Sequence, residues 1–293
     1  MVSVRRACID IGSNTTRVLV AECADGQLRE VLQERTFTHL RRSVTADGAI
    51  PPEKIAELAA VVEGQIRLAR ELGAAQIHVV ATAALRQAAN AGEVCDAIRR
   101  RCEIEPVVLS EAEEGRLAFV GAARTLGHRP SGRLGVVDVG GGSSELVVGT
   151  APDRVSWWTS LPVGSGALAD RCLRSDPPSS EQLDDARARI AAALAGVEVP
   201  HPSEAVAVGG SAASLGRVVG PLLDAGAFSR SLGVLCAERA REIAHRWGLD
   251  QDRARLLPAG LLILEAASRR FGVSLQVGHG GLREGVLLEA RGE

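Results

Sequence analysis

The chain has 293 residues, of which 46% are hydrophobic and 24% charged, enough apolar material for two domains of ordinary size in a water-soluble protein. Its formal net charge is −2, so no global positive field recruits nucleic acid, and an anionic ligand must be held by a local site. Lys54 is the only lysine, which excludes the GxxxxGK loop of the P-loop NTPases and leaves arginine for bidentate phosphate contacts.

From the N-terminus, residues 4–11 (VRRACIDI) predict a buried strand, 12–16 (GSNTT) a tight turn and 17–23 (RVLVAEC) the second strand of a hairpin. Arg5 and Arg6 precede an apolar run, but Asp10 and Gly12 break it, so it is no signal peptide. Residues 51–72 open on Pro51-Pro52-Glu53 and carry apolar side chains at 55, 58, 59, 62, 66 and 69, a helical stripe that ends at Gly73. A strand at 76–81, short helices at 82–89 and 93–102, a strand at 104–109 and a helix from Ser110 to about Leu126 follow. Gly127 to Gly132 reads as the boundary, giving domains 1–126 and 127–293.

The opening plan then returns. LGVVDV (134–139) is a strand, Gly140 to Ser144 a turn and Glu145 to Gly149 a strand, and both first strands end in Asp-x-Gly, at Asp10 and Asp138. A strand near 155–161, a helix at 180–195 and a buried strand at 205–208 lead into Gly209-Gly210-Ser211. Helices at about 212–223, 237–247 and 253–270, a strand at 273–277 and a short C-terminal helix complete the chain. The longest apolar stretch near the C-terminus, Leu261 to Ala267, is interrupted by Glu265 and too short to span a bilayer. Six cysteines without a CxxC pair suit reduced thiols, and the chain is expected in the cytoplasm with no membrane partner. Alternating strands and helices in two similar halves predict an α/β fold with a cleft between them.

Three turns can point backbone N–H groups at an oxyanion: Gly12-Ser13-Asn14-Thr15, Gly140-Gly141-Gly142-Ser143 and Gly209-Gly210-Ser211. Each alone is more often structural, but two follow Asp-x-Gly in duplicated halves. Asp10 and Asp138 end apolar strands, where a carboxylate is costly unless paired or near a metal; each could cap its own turn, but its position beside a phosphate-binding turn favours a magnesium handle, at Asp138 first and then at Asp10. The acidic helix start Ser110-Glu111-Ala112-Glu113-Glu114 suits the helix dipole and equally suits a carboxylate that deprotonates an attacking water.

The ordered blocks DIGSNTTR (10–17), ATAALRQAAN (81–90), SEAEEGRLAFVG (110–121), VVDVGGGSSELVVG (136–149), AVGGSAASL (207–215), PAGLLIL (258–264) and GGLREGVLLEA (280–290) resemble the exopolyphosphatase/guanosine pentaphosphate phosphatase family over essentially the whole chain. The resemblance implies two duplicated actin-like domains and a hydrolase that releases terminal phosphate from inorganic polyphosphate or guanosine pentaphosphate with Mg²⁺. It implies Glu114 as the general base for water, and Asp138 and Glu145 as acids that hold Mg²⁺ or orient water through it. Arg86 would face the phosphate chain, and the three glycine turns would bind phosphates. The family's dimers imply a homodimer. Longer relatives carry a further helical C-terminal domain, and a chain with only the core is expected to favour short polyphosphate.

Two positions depart from the pattern. Glu111-Ala112 stands where the family usually has Gly before the Glu pair, and His279-Gly280 replaces an Asp-Gly-like turn, so His279 either contacts phosphate or is solvated. A kinase of the same superfamily and a non-catalytic sensor of polyphosphate or alarmone nucleotides are the rival readings.

Overall fold

The structure, a computed structural model, describes residues 4–24 and 26–290. The chain folds as two units, one formed by residues up to Gly121 together with the segment from Leu282 onward, the other by Ala122–Gly281. The chain thus passes between units inside the helix Glu111–Arg124, and the Gly127–Gly132 loop lies within the second unit.

In the first unit, β1 (Val4–Ile11), β2 (Thr15–Ala24) and β3 (Gln27–Phe37) form an antiparallel meander, and β4 (Gln76–Ala81) and β5 (Val107–Val108) extend the sheet parallel to β1. The order is β3-β2-β1-β4-β5. Side chains alternate across β1 with period two. Ala7, Ile9 and Ile11 share a core with the helix Pro52–Glu71, whose buried residues include Ile55, Leu58, Ala59, Val62, Ile66 and Ala69, the stripe predicted from sequence. The opposite face carries Arg6, Cys8 and Asp10. There the C-terminal helix Leu282–Glu289 packs Leu282, Val286 and Leu287 against Cys8, Leu19 and Val80, and Arg6 Nη1 donates to the Leu287 carbonyl at 3.2 Å.

The second unit repeats this plan. β6 (Leu134–Val139), β7 (Ser144–Thr150) and β8 (Arg154–Leu161) are antiparallel neighbours, β9 (Glu204–Val208) runs parallel to β6, and β10 (Leu222–Leu223) pairs β11 (Leu275–Val277) at the far edge. The order β8-β7-β6-β9-β11 reproduces β3-β2-β1-β4-β5 in sequence and direction, and β10 is an addition. Val137, Val139, Leu146 and Val148 join a core with the helices Ser165–Cys172, Ser180–Ala193 and Gln251–Phe271. The duplication read from Asp-x-Gly is therefore a duplication of whole sheets, the actin-like α/β arrangement.

Several elements lie outside the predicted set. β3 escapes detection because most of its side chains, in QLREVLQERTF, are solvated and give little apolar alternation. The helices Ser165–Cys172 and Ala225–Ala237 begin among small residues that read as loop, and the predicted strand at 104–109 contracts to Val107–Val108. Among the described residues no helix is long and apolar enough to cross a membrane.

Within the first unit the C-terminal helix crosses the helix Glu111–Arg124 so closely that a Cβ on Gly285 would overlap the Leu117 carbonyl oxygen. Gly285→Ala must push the helices apart, and we expect a loss of about 1–3 kcal/mol, typical of overpacking. Urea unfolding checks this: a change below about 0.5 kcal/mol, the range of a neutral surface substitution, would show that the crossing has room.

Candidate active site

The two hairpin turns have matching geometry. Gly12 N–H donates to the Thr15 carbonyl at 3.0 Å, and Gly140 N–H donates to the Ser143 carbonyl at 3.0 Å. The next segment of chain then ties down two further carbonyls of each turn. In the first unit Arg41 N–H reaches Ser13 O at 3.0 Å, while Thr38 and His39 N–H reach Asn14 O at 3.0 and 2.9 Å. In the second, Ser165 N–H reaches Gly140 O and Ala167 N–H reaches Gly141 O, both at 2.9 Å. With carbonyls directed into the fold, the turns are left with donors: among the described residues, the N–H groups of Ser13 and Asn14, and of Gly141, Gly142 and Ser143, have no acceptor. Consecutive amides of this kind make an anion-binding concavity. Ser13, Thr15 and Ser143 are buried, and Asn14 Oδ1 is 2.9 Å from His39 Nδ1.

The third predicted turn has a different form. Gly209, Gly210 and Ser211 open the helix Gly209–Val219 directly after β9. Helix N-terminal amides favour anions, so the backbone here suits phosphate. The Ser211 side chain does not, since its hydroxyl is fully buried and packs against the helix Gln251–Phe271 at Gly260.

The hairpins differ in what faces the aspartate. In the first unit Asp10 stands directly opposite Arg17, and Arg17 opposite Arg35. In the second, Asp138 stands opposite Glu145, and Glu145 opposite Ser160, whose hydroxyl donates to Glu145 Oε1 at 2.9 Å. Glu145 is 2% exposed. Asp138 lies over Gly209, which has φ +83° and where any Cβ would overlap Asp138 Oδ1. Glycine is thus required at 209 both by conformation and by the approach of this carboxylate.

Asp10 Oδ1 is buried and makes no hydrogen bond among the described residues. Burial pushes its carboxyl above the usual range, the Arg17 and Arg283 guanidiniums pull it back, and Glu284 adds to the rise. Arg283 and Glu284 sit in the first turn of the C-terminal helix and are themselves buried.

The acidic helix start resolves into separate duties. Ser110 and Glu113 form a capping box: Ser110 N–H and Oγ donate to Glu113 Oε2 at 3.0 and 2.7 Å, and these bonds hold the Glu113 carboxyl below its ordinary range. Glu114, 8% exposed, instead accepts a bond from Arg86 Nη1 at 2.9 Å. Arg86 Nη1 also donates to the Leu109 carbonyl at 2.8 Å, and its Nη2 lies 4.0 Å from Glu111 Oε1. Arg86, expected to face phosphate, therefore clamps the glutamate expected to act on water. Its Nη2, buried and without a hydrogen-bond partner among the described residues, is the part left for an anion.

The first unit thus unites Arg86 with Glu114 and Asp10 with the Gly12 turn, and the second unites Asp138, Glu145, Gly209 and the Gly140 turn. His279 is exposed in its loop. Sequence reading missed Ser160, His39, Arg41 and Arg283. Only Arg283 had a signal, its place in the block GGLREG; the others depend on strand register and loop packing.

A match to the Ppx/GppA phosphatase family spans residues 19–292. The chain is 27% identical to exopolyphosphatase 1 of Mycobacterium tuberculosis over 97% of this chain and 88% of that protein. It is 31% identical to an uncharacterised protein of Streptomyces coelicolor over 97% and 90% of the two chains. The crystal structure of the Aquifex aeolicus Ppx/GppA family member superposes with a TM-score of 0.83 at 29% identity, over 98% of this chain and 97% of that one. The matched glycine turns, the clamped glutamate and the facing carboxylates thus sit in a chain that belongs to the Ppx/GppA phosphatase family.

Proposed function

We infer that this hydrolase is an exopolyphosphatase, releasing orthophosphate from the end of inorganic polyphosphate with Mg²⁺. The observation that carries the reading is the pair Asp138–Glu145, opposite each other beside a turn in which the N–H groups of Gly141, Gly142 and Ser143 have no acceptor among the described residues. Like charges directly opposite on neighbouring strands destabilise a sheet, so a bound cation suits this pair. Mg²⁺ takes one or two carboxylates, keeps waters and binds substrate phosphates. Among the described residues no group of three or more His, Cys, Asp or Glu converges that could hold a metal ion. The exopolyphosphatase name of the mycobacterial relative supports the choice of substrate.

In this reading the turn amides and the N-terminus of the helix Gly209–Val219 bind the anionic oxygens of the chain. Asp138 and Glu145 hold Mg²⁺, which supplies charge neutralisation on the phosphoryl oxygens when bound. Glu114, fixed by Arg86, orients a water and accepts its proton as the water oxygen bonds to the terminal phosphorus. The bond from that phosphorus to the bridging oxygen breaks, and the shortened chain leaves with the electron pair. Positioning and charge stabilisation account for most of phosphoryl transfer, because its transition state is loose and anionic.

Glu114→Gln should bind polyphosphate and lose about 10²–10⁴-fold in turnover, the range for a removed general base. The assay is orthophosphate release from short and long polyphosphate and from guanosine pentaphosphate, with Mg²⁺. A near-wild-type rate in the variant ends the assignment of Glu114, and release from the nucleotide alone moves the substrate to guanosine pentaphosphate.

Asp10, the third acid expected to touch metal, has arginines on its own face, and we assign it to the wall of the first turn. Its folded pKa is raised, so the folded state holds this proton more tightly than the unfolded chain does. Ionisation therefore opposes folding, and that opposition grows as pH rises from the ordinary carboxylate range towards the raised value. Asp10→Asn should stabilise the protein at neutral pH, with the gain shrinking as pH falls towards about 4, the unfolded aspartate range. Thermal unfolding with and without Mg²⁺ checks both points. Stabilisation by Mg²⁺ should persist in Asp10→Asn and vanish in Asp138→Asn, and the reverse pattern would place the ion at Asp10.

A further inference from the structure

We propose that Ser160 is a positioning residue that sets the geometry of the ion-holding carboxylate Glu145; the proposal rests on the reading of Asp138 and Glu145 as holders of Mg²⁺. Register places Asp138, Glu145 and Ser160 in one row across β6, β7 and β8, and residues in such a row project from the same face of the sheet. Glu145 is almost wholly buried, and its Oε1 takes the Ser160 hydroxyl proton at 2.9 Å. A hydrogen bond to one oxygen favours one setting of the terminal torsion, and so biases the direction of Oε2 before any ion arrives.

The duplicated row shows why a hydroxyl is suited to this place. In the first unit the corresponding positions are Asp10, Arg17 and Arg35. A guanidinium at the third position of the second row would neutralise Glu145 and compete with a cation. Serine satisfies one lone pair and adds no charge of its own to the row. Hydrogen-bond partners of metal-holding side chains typically contribute 10–100-fold in metal affinity.

The test is Mn²⁺ binding at neutral pH, followed by the electron paramagnetic resonance signal of the free ion, for the wild type, Ser160→Ala, Ser160→Thr and Glu145→Gln. Unfolding midpoints in metal-free buffer verify that each variant is folded. We expect Ser160→Ala to bind Mn²⁺ about tenfold more weakly or worse, and Ser160→Thr, which keeps the hydroxyl, to bind as the wild type does. The apparent Mg²⁺ requirement for phosphate release should rise in the alanine variant in the same proportion. Wild-type Mn²⁺ affinity in Ser160→Ala, with weakened binding in Glu145→Gln, overturns the role of Ser160 and leaves the metal reading intact. A threonine variant as weak as the alanine variant also overturns it. Wild-type affinity in Glu145→Gln defeats the metal reading itself, and the proposal with it.

Discussion

Two carboxylates facing each other across a strand pair are the constraint around which the second unit is arranged. Asp138 and Glu145 occupy directly opposed positions at the end of a hairpin built mostly of buried apolar residues. Such a pair repels, and burial strengthens the repulsion because fewer waters screen it. The surroundings answer that cost without adding positive side chains in the row. Gly209 leaves room for Asp138, and Ser160 satisfies one oxygen of Glu145. The first unit resolves the same position differently, by placing Arg17 opposite Asp10. The same fold element therefore sets an aspartate beside arginines in one half and beside a second carboxylate in the other, and the residues at the next two positions of the row make the difference.

The turns follow a second shared rule. A Gly-rich turn is an anion site only if its carbonyl oxygens are kept away from the ligand. Here the chain after each turn donates backbone N–H groups to those oxygens, from residues 38–41 in one unit and 165–167 in the other. These bonds are sequence-blind, because any non-proline residue supplies an N–H. They also explain why the second turn can be three consecutive glycines, whose conformational freedom would otherwise be costly to fix.

That distinction explains what was legible from the residues alone. The strands 4–11, 76–81 and 134–139, the helix 52–71 with its buried stripe, and the Asp-x-Gly repeat all follow from apolar periodicity and turn chemistry within a short stretch of chain. The family blocks carried the rest of the architecture. What stayed hidden depends on contacts distant in sequence. β3 is an edge strand held by pairing with β2, and its exposed side chains show little alternation. The C-terminal helix belongs with the first unit because Leu282, Val286 and Leu287 cover Cys8 and Leu19, a contact no local pattern announces. Ser160 looks like any serine in a strand until register places it beside Glu145. Arg86 was read as facing phosphate, whereas the fold first commits it to Glu114 and the Leu109 carbonyl.

The glutamates at the start of the helix Glu111–Arg124 show how far one residue type can be differentiated by one helical turn. Composition treats Glu111, Glu113 and Glu114 alike, as acids suited to a helix N-terminus. Glu113, three residues after Ser110, is placed by helical geometry to cap the helix, and both its capping bonds go to Ser110. Glu114 is rotated about 100° further around the helix axis, off the capping position and onto the buried side where Arg86 reaches it. Glu113 spends one oxygen, Oε2, on both capping bonds, and so serves the helix start. Glu114 is instead held in direction by Arg86 Nη1, away from the capping bonds. The capping serine thereby contributes to the chemistry indirectly: by engaging Glu113 it fixes the helix start, and with it the direction in which Glu114 points.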